Sequence, residues 1–161
     1  MKADDLEIIY QRYYQALFIY AFSLTKNKAD AEDLVANAFG KALLSFEEGH
    51  IQAWLYTVLK NEFYNLYKKK RKIYDEYNLD NLECSIDVLK DIFHQEQIAW
   101  LYKQIYSLPA REKEIMLLSL QDDLDDQMIS KITHLSIEYI RVIRHRTKKK
   151  LIELCQQEEL L

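Results

Sequence analysis

Apolar side chains recur along this chain at steps of three and four residues, and the places where that rhythm fails predict where helices end. Leu6, Ile9, Tyr10, Tyr13, Leu17, Tyr20 and Leu24 predict a first helix from Asp4 or Asp5 to about Thr25, stopped at Lys26-Asn27-Lys28. Ala31, Leu34, Val35, Ala38, Phe39, Ala42 and Leu43 predict a second, from about Ala29 to Ser45. Its early Asp30, Glu32 and Asp33 suit the positive end of the helix dipole. Beyond a short loop, Phe46 to His50, a third stripe runs through Ile51, Trp54, Leu55, Val58, Leu59, Glu62 and Leu66, with one polar lapse at Glu62. Three helices with short connections and complementary stripes make a compact bundle.

From Ile73 to Ile86 the period is lost among acids and amides, which predicts a linker with weak local structure. Helical spacing returns from Asp87 to Tyr106 and stops at Leu108-Pro109, because a residue before proline is pushed out of the α region. A further helix runs to about Leu120. The turn Asp122–Asp126 is rich in capping side chains, a short helix spans Asp126 to Thr133, and His134-Leu135-Ser136 connects it tightly to a long last helix with Ser136 as N-cap. That arrangement is a helix-turn-helix candidate. The chain is therefore expected to be all-α: a three-helix N-terminal bundle (1–72), an acidic linker (73–86) and a C-terminal helix-turn-helix domain (87–161).

Composition narrows the function classes. Two glycines and one proline leave few residues for hairpin turns, which reinforces the all-helical reading. No run approaches the ~20 uncharged residues that cross a bilayer, and the acidic start has no signal-peptide pattern, so a cytoplasmic location is expected. Cys84, Cys155 and four histidines lie at no metal or catalytic spacing. With no nucleophile-base set, paired carboxylates or glycine-rich phosphate loop, neither an enzyme, a cofactor nor a small-molecule substrate is expected. The net charge of −4 argues against a protein that coats DNA nonspecifically. Its distribution is more telling: residues 73–107 carry 2 basic and 7 acidic side chains, while cations gather at Lys68–Lys72 and Arg141–Lys150.

Both cationic clusters close helices with a polar face. On the third helix Thr57, Asn61, Tyr64, Lys68 and Arg71 share one side, joined by Lys69, an order of hydroxyl, amide, aromatic and cation that suits single-stranded nucleic acid. A solvated face ending in a basic tail has the same composition. On the last helix Glu138, Arg141, His145 and Lys148 face outward, flanked by Arg144 and Lys149, where early side chains reach base edges and later cations hold phosphates. An amphipathic C-terminal helix with a basic face is the alternative.

These segments together resemble the extracytoplasmic-function group of sigma factors, promoter-recognition subunits of bacterial RNA polymerase. KNKADAEDLVANAF is similar to the group's polymerase-binding helix and AWLYTVLKNEFYNLYKKKR to its promoter-melting helix. LPAREKEIMLLSLQ with MISKITHLSIEYIRVIRHRTKKKL is similar to its C-terminal DNA-binding domain. The resemblance implies docking on core polymerase, at the largest-subunit coiled coil and the flap, with Asp30, Glu32, Asp33, Leu34 and Val35 at the coiled coil. It implies a pocket for a flipped-out promoter base built from Phe46, the loop to His50, and Asn61, supported by Tyr64, with Lys68, Lys69 and Arg71 on phosphates. It further implies that Ser136, Arg141, Arg144, His145, Lys148 and Lys149 bind the upstream duplex element. The acidic segment bearing Asp75, Glu76, Asp80, Glu83, Asp87 and Asp91 would thread toward positive polymerase surfaces, and an anti-sigma factor would hold the chain inactive. By residues alone the early acids also serve as helix caps, Phe46 as a core side chain, and the linker as a plain solvated connector.

The chain departs from the group's pattern at several points. Ala36 and Asn37 replace the usual glutamine and glutamate, His134 the turn glycine, and Ser130 a small alanine. An aromatic is missing from the run Asp123 to Asp126, Ile143-Arg144 reverses an expected basic and apolar pair, and the loop before Trp54 is about a residue short. The acidic turn and the altered turn motif leave room for a degenerate sigma-like interaction protein, and a stand-alone helix-turn-helix regulator is the other alternative.

Overall fold

The computed structural model describes the backbone of residues 1–77 and 82–158 and the side chains of residues 1–66 and 87–158. The described residues are helical and form no strand. The helices are α1 (Ala3–Thr25), α2 (Lys28–Ser45), α3 (Ile51–Tyr77), α4 (Leu82–Ile92), α5 (Glu96–Tyr106), α6 (Ala110–Ser119), α7 (Asp126–Thr133) and α8 (Ile137–Gln157). They fall into two compact units, Met1–Asn81 and Leu82–Leu161. Among the described residues no helix is long and apolar enough to cross a membrane.

In the N-terminal unit α1, α2 and α3 pack pairwise. Lys26 leaves α1 in the left-handed region (φ 53°), and Asn27 caps α2 by accepting the Asp30 N–H at 3.0 Å, so two residues reverse the chain. The second half of α1 is buried on every side, from Leu17 through Phe22, because α2 and α3 both pack on it. Tyr10, in contrast, is exposed.

The buried face of α3 differs from the expected stripe. Gln52, Leu55, Tyr56, Leu59, Lys60 and Phe63 form the core face, with Tyr56 meeting Tyr20 edge-on at 5.1 Å. Ile51, Trp54, Val58 and Glu62 lie half-buried at its flank, and Leu66 is exposed. The large aromatics Tyr56 and Phe63 bring more apolar area to a core than the residues they displace, so they set the rotation of the helix. The polar lapse at Glu62 has a local reason, since its carboxylate pairs with Lys41 of α2.

Two corrections concern the middle of the chain. Helix α3 continues to Tyr77 and α4 begins at Leu82, so both ends of the expected 73–86 linker are helical, while residues 78–81 lie outside the described residues. The expected helical stretch 87–106 is broken after Ile92. There α4 and α5 fold against each other, and Phe93 stacks on Tyr102 at 4.4 Å. In the C-terminal unit α6, α7 and α8 share a core of Ile115, Leu118, Leu124, Ile129, Ile132, Ile140 and Ile143.

Candidate nucleic-acid and partner interfaces

On α2 the five expected docking residues separate into two groups. Leu34 and Val35 are core side chains, buried against the bundle, and offer no surface to a partner. Glu32 and Asp33 are exposed and Asp30 half-exposed near the helix start. The exposed side of α2 continues through Ala36, Asn37 and Gly40 to Leu44, which is 85% exposed. Asp33, Asn37, Gly40 and Leu44 follow steps of four, three and four, so they form one line of small and polar groups ended by a leucine. Leu44 carried no signal in the sequence, where it reads as one more apolar residue beside Leu43.

The loop after α2 is held at three points. Phe46 donates its N–H to Ala42, Gly49 adopts φ +110°, and His50 caps α3 by accepting the Ala53 N–H on Nδ1 at 3.2 Å. A side chain other than glycine is strained at the Gly49 angle. The half-buried Phe46 ring meets Trp54 edge-on at 5.5 Å. With Met1, Asp5, Ile8, Ile9 and Glu47 it also lines a cavity of about 400 Å³.

Thr57, Asn61 and Tyr64 all lie on the exposed side of α3. The Thr57 hydroxyl donates to the Ala53 carbonyl at 2.9 Å, which fixes its rotamer. Among the described residues the Asn61 amide makes no hydrogen bond, so both its donor and its acceptor are available. Tyr64 is steadied by Lys60, whose stem is buried and whose ammonium lies 5.7 Å from the ring centroid. Phe46 touches α3 at Trp54, and Asn61 follows two turns, about 10 Å, further along the same helix. Lys68, Lys69 and Arg71 continue α3, and their side chains lie outside the described residues, as do those of Asp75, Glu76, Asp80 and Glu83.

In the C-terminal unit α7 and α8 meet at the expected three-residue turn. Asp125 caps α7 through the Met128 N–H at 2.9 Å and Ser136 caps α8 through the Tyr139 N–H at 3.2 Å. His134 occupies the left-handed region (φ 61°), the conformation that makes glycine usual at such turns. The Ser130 hydroxyl donates to the Leu135 carbonyl at 2.6 Å and so ties the turn back to α7.

The outward face of α8 differs from the expectation at two positions. Ser136 spends its oxygen on the helix cap, so its first role is structural. Arg144 turns inward: its Nε donates to Ser119 Oγ at 3.1 Å and an Nη to Asp126 Oδ1. Arg141 donates its Nε to Asp126 Oδ2 at 2.9 Å. The hydrogen bond from Arg144, then that from Arg141, hold the Asp126 carboxyl below the usual carboxylate range. His145, Lys148 and Lys149 are exposed as expected. Asp126 was missed by sequence reasoning as a site residue, although the acidic run and the reversed Ile143-Arg144 pair together pointed at it.

Residues 9–73, which contain the α2 and α3 faces, match the family model for sigma-70 region 2. Beyond that segment, nearly the whole chain is similar to sigma factors of the extracytoplasmic-function group. It is 25% identical to the RNA polymerase sigma factor YlaC of Bacillus subtilis, over 92% of this chain and 90% of that protein. It is 28% identical to the RNA polymerase sigma factor SigV of the same organism, over 89% and 87%. Its fold resembles that of the sigma factor RpoE from Bartonella quintana in complex with the anti-sigma factor NepR, with a TM-score of 0.66, 25% identity, and coverage of 96% of this chain and 98% of that one. These likenesses support a sigma factor that directs RNA polymerase to promoters.

Proposed function

We propose that the N-terminal unit binds core polymerase and opens a minus-ten-type element, while the C-terminal unit reads a minus-thirty-five-type duplex element. In this division residues 1–72 act as region 2, 87–161 as region 4, and the acidic segment between them follows positive polymerase surfaces. The observation that carries the reading is the exposed, uncommitted Asn61 amide on a helix whose opposite face is core, with Thr57 and Tyr64 beside it. A base leaving the duplex loses a few kcal/mol of stacking and pairing, which an amide and an aromatic can return. Asp30, Glu32, Asp33 and the line ending at Leu44 are the docking face for the coiled coil of the largest subunit, and the C-terminal unit meets the flap. Leu34 and Val35 act only by holding that face in place.

Arg141, His145, Lys148 and Lys149 supply the duplex contacts, and Lys68, Lys69 and Arg71 the phosphate contacts beside the melted strand. The chain works by binding, with chemistry left to the polymerase in the cytoplasm. An anti-sigma factor is the expected inhibitor, since the similar RpoE is in complex with one. Run-off transcription with purified core enzyme tests the reading: new start sites that share two upstream elements are expected. Tight, specific duplex binding without polymerase would instead make the chain a stand-alone regulator.

A further inference from the structure

The two arginines of α8 are linked through a single carboxylate, and the links run from inside to outside. Ser119 on α6 accepts from Arg144, Arg144 donates to Asp126 Oδ1, and Asp126 Oδ2 accepts from Arg141. Arg144 and Asp126 are largely buried, with side-chain exposures of 23% and 22%, whereas Arg141 is 67% exposed. The inner arginine therefore fixes the carboxylate, and the carboxylate fixes the outer arginine.

The geometry points to Asp126 as a specificity-determining positioning residue, which turns Arg141 into a reader of guanine in the upstream duplex element. This rests on the duplex-reading role proposed above for the C-terminal unit. Arg141 is the fifth residue of α8, near the end of a recognition helix that approaches base edges. With Nε committed to Asp126, the donors left to it are the two Nη groups, which among the described residues make no hydrogen bond. Two parallel N–H groups at fixed spacing match the O6 and N7 acceptors of guanine and no other base edge in the major groove. A guanidinium held in advance also loses less rotamer freedom on binding than a free one. A phosphate would accept from the same groups, but a free and mobile Arg141 would serve a phosphate as well, so the restraint matters only for base reading.

Asp126 lies in the run that lacks the group's aromatic, and Arg144 stands where the group carries an apolar side chain. The Asp126 carboxylate spends one oxygen on each arginine.

The test is transcription by core polymerase carrying the full chain on duplex templates randomised across the upstream element. The wild-type chain is expected to favour guanine at one position, and Arg141→Ala to erase that preference. Asp126→Asn should reduce it about ten-fold, within the range a bidentate contact supplies. Ser119→Ala removes only the innermost link and leaves the Arg144–Asp126 and Asp126–Arg141 bonds, so it should reduce the preference less than Asp126→Asn does. If Asp126→Asn proves too unstable to assay, Arg141→Lys, which has no Nε to hold, should lose the preference in a chain whose Asp126–Arg144 link is intact. An Asp126→Asn chain that keeps the wild-type preference, or weakens all templates equally, overturns the inference while the sigma-factor reading stands. Guanine reading by Arg141 is likewise overturned if Arg141→Ala changes no position. A wild-type chain that yields no transcript overturns both.

Discussion

Replacing His134 by glycine should stabilise the C-terminal unit. His134 is exposed and sits at φ 61°, ψ 28°, where its Cβ crowds the following carbonyl. The left-handed conformation costs a residue with a side chain about 1–2 kcal/mol. Glycine removes that strain but gives the unfolded chain more freedom, at a loss of about 0.4–1 kcal/mol. The difference is a net gain of about 0.5–1 kcal/mol, since no buried contact is given up. In a unit of this size such a change raises Tm by about 2–8 °C. Calorimetry on the full chain, joined by amide exchange at Ile129, Ile132 and Ile140, assigns the gain to the right unit. Exchange at those amides should slow while exchange at Leu55 and Leu59 stays the same. A lower Tm, or faster exchange in α7 and α8, would refute the reasoning, because it would mean that the imidazole contributes more than its backbone strain costs.

Other outcomes follow from the same geometry. Ser130→Ala should destabilise the C-terminal unit by about 1 kcal/mol, read by urea unfolding, because the Leu135 carbonyl loses its donor. Leu34→Ala should cost the N-terminal unit about 2–5 kcal/mol, whereas Leu44→Ala should leave Tm unchanged and weaken polymerase binding in a pull-down titration. Asn61→Ala should reduce strand opening, read by the reactivity of unpaired thymines, without weakening the core complex. The margin of the wild type over Asp126→Asn should be present at neutral pH. It is lost below about pH 4, as acid protonates first the unfolded aspartate and then the native one, whose value is lowered by Arg144 and Arg141. Urea unfolding of both chains across that range measures it.

Much of the fold was legible in the sequence, and the reason is local. Ser136 reads as a cap and Asp125 lies in a run rich in capping side chains, and both satisfy helix-end N–H groups within their own turn, as Asn27 also does for α2. The outward line of α8, through Glu138, Arg141, His145 and Lys148, followed from periodicity in the same way. The candidate sites were legible less evenly. Asn61 and Tyr64 were placed correctly on an exposed face, but the rotation of α3 was set by Tyr56 and Phe63 meeting partners on other helices, and no spacing rule weighs such partners.

By itself the sequence determined that this chain is helical, where most of its helices begin and end, and which two of them carry a basic polar face. Those properties depend on interactions within about four residues. Only the tertiary structure decided that Leu34 and Val35 are core, that Leu44 is surface, and that Arg144 faces inward. It also brought Ser119, Asp126 and Arg141 into one series of hydrogen bonds across three helices. A charged side chain looks the same in sequence whether it meets water or a carboxylate 18 positions away, and only packing chooses between them.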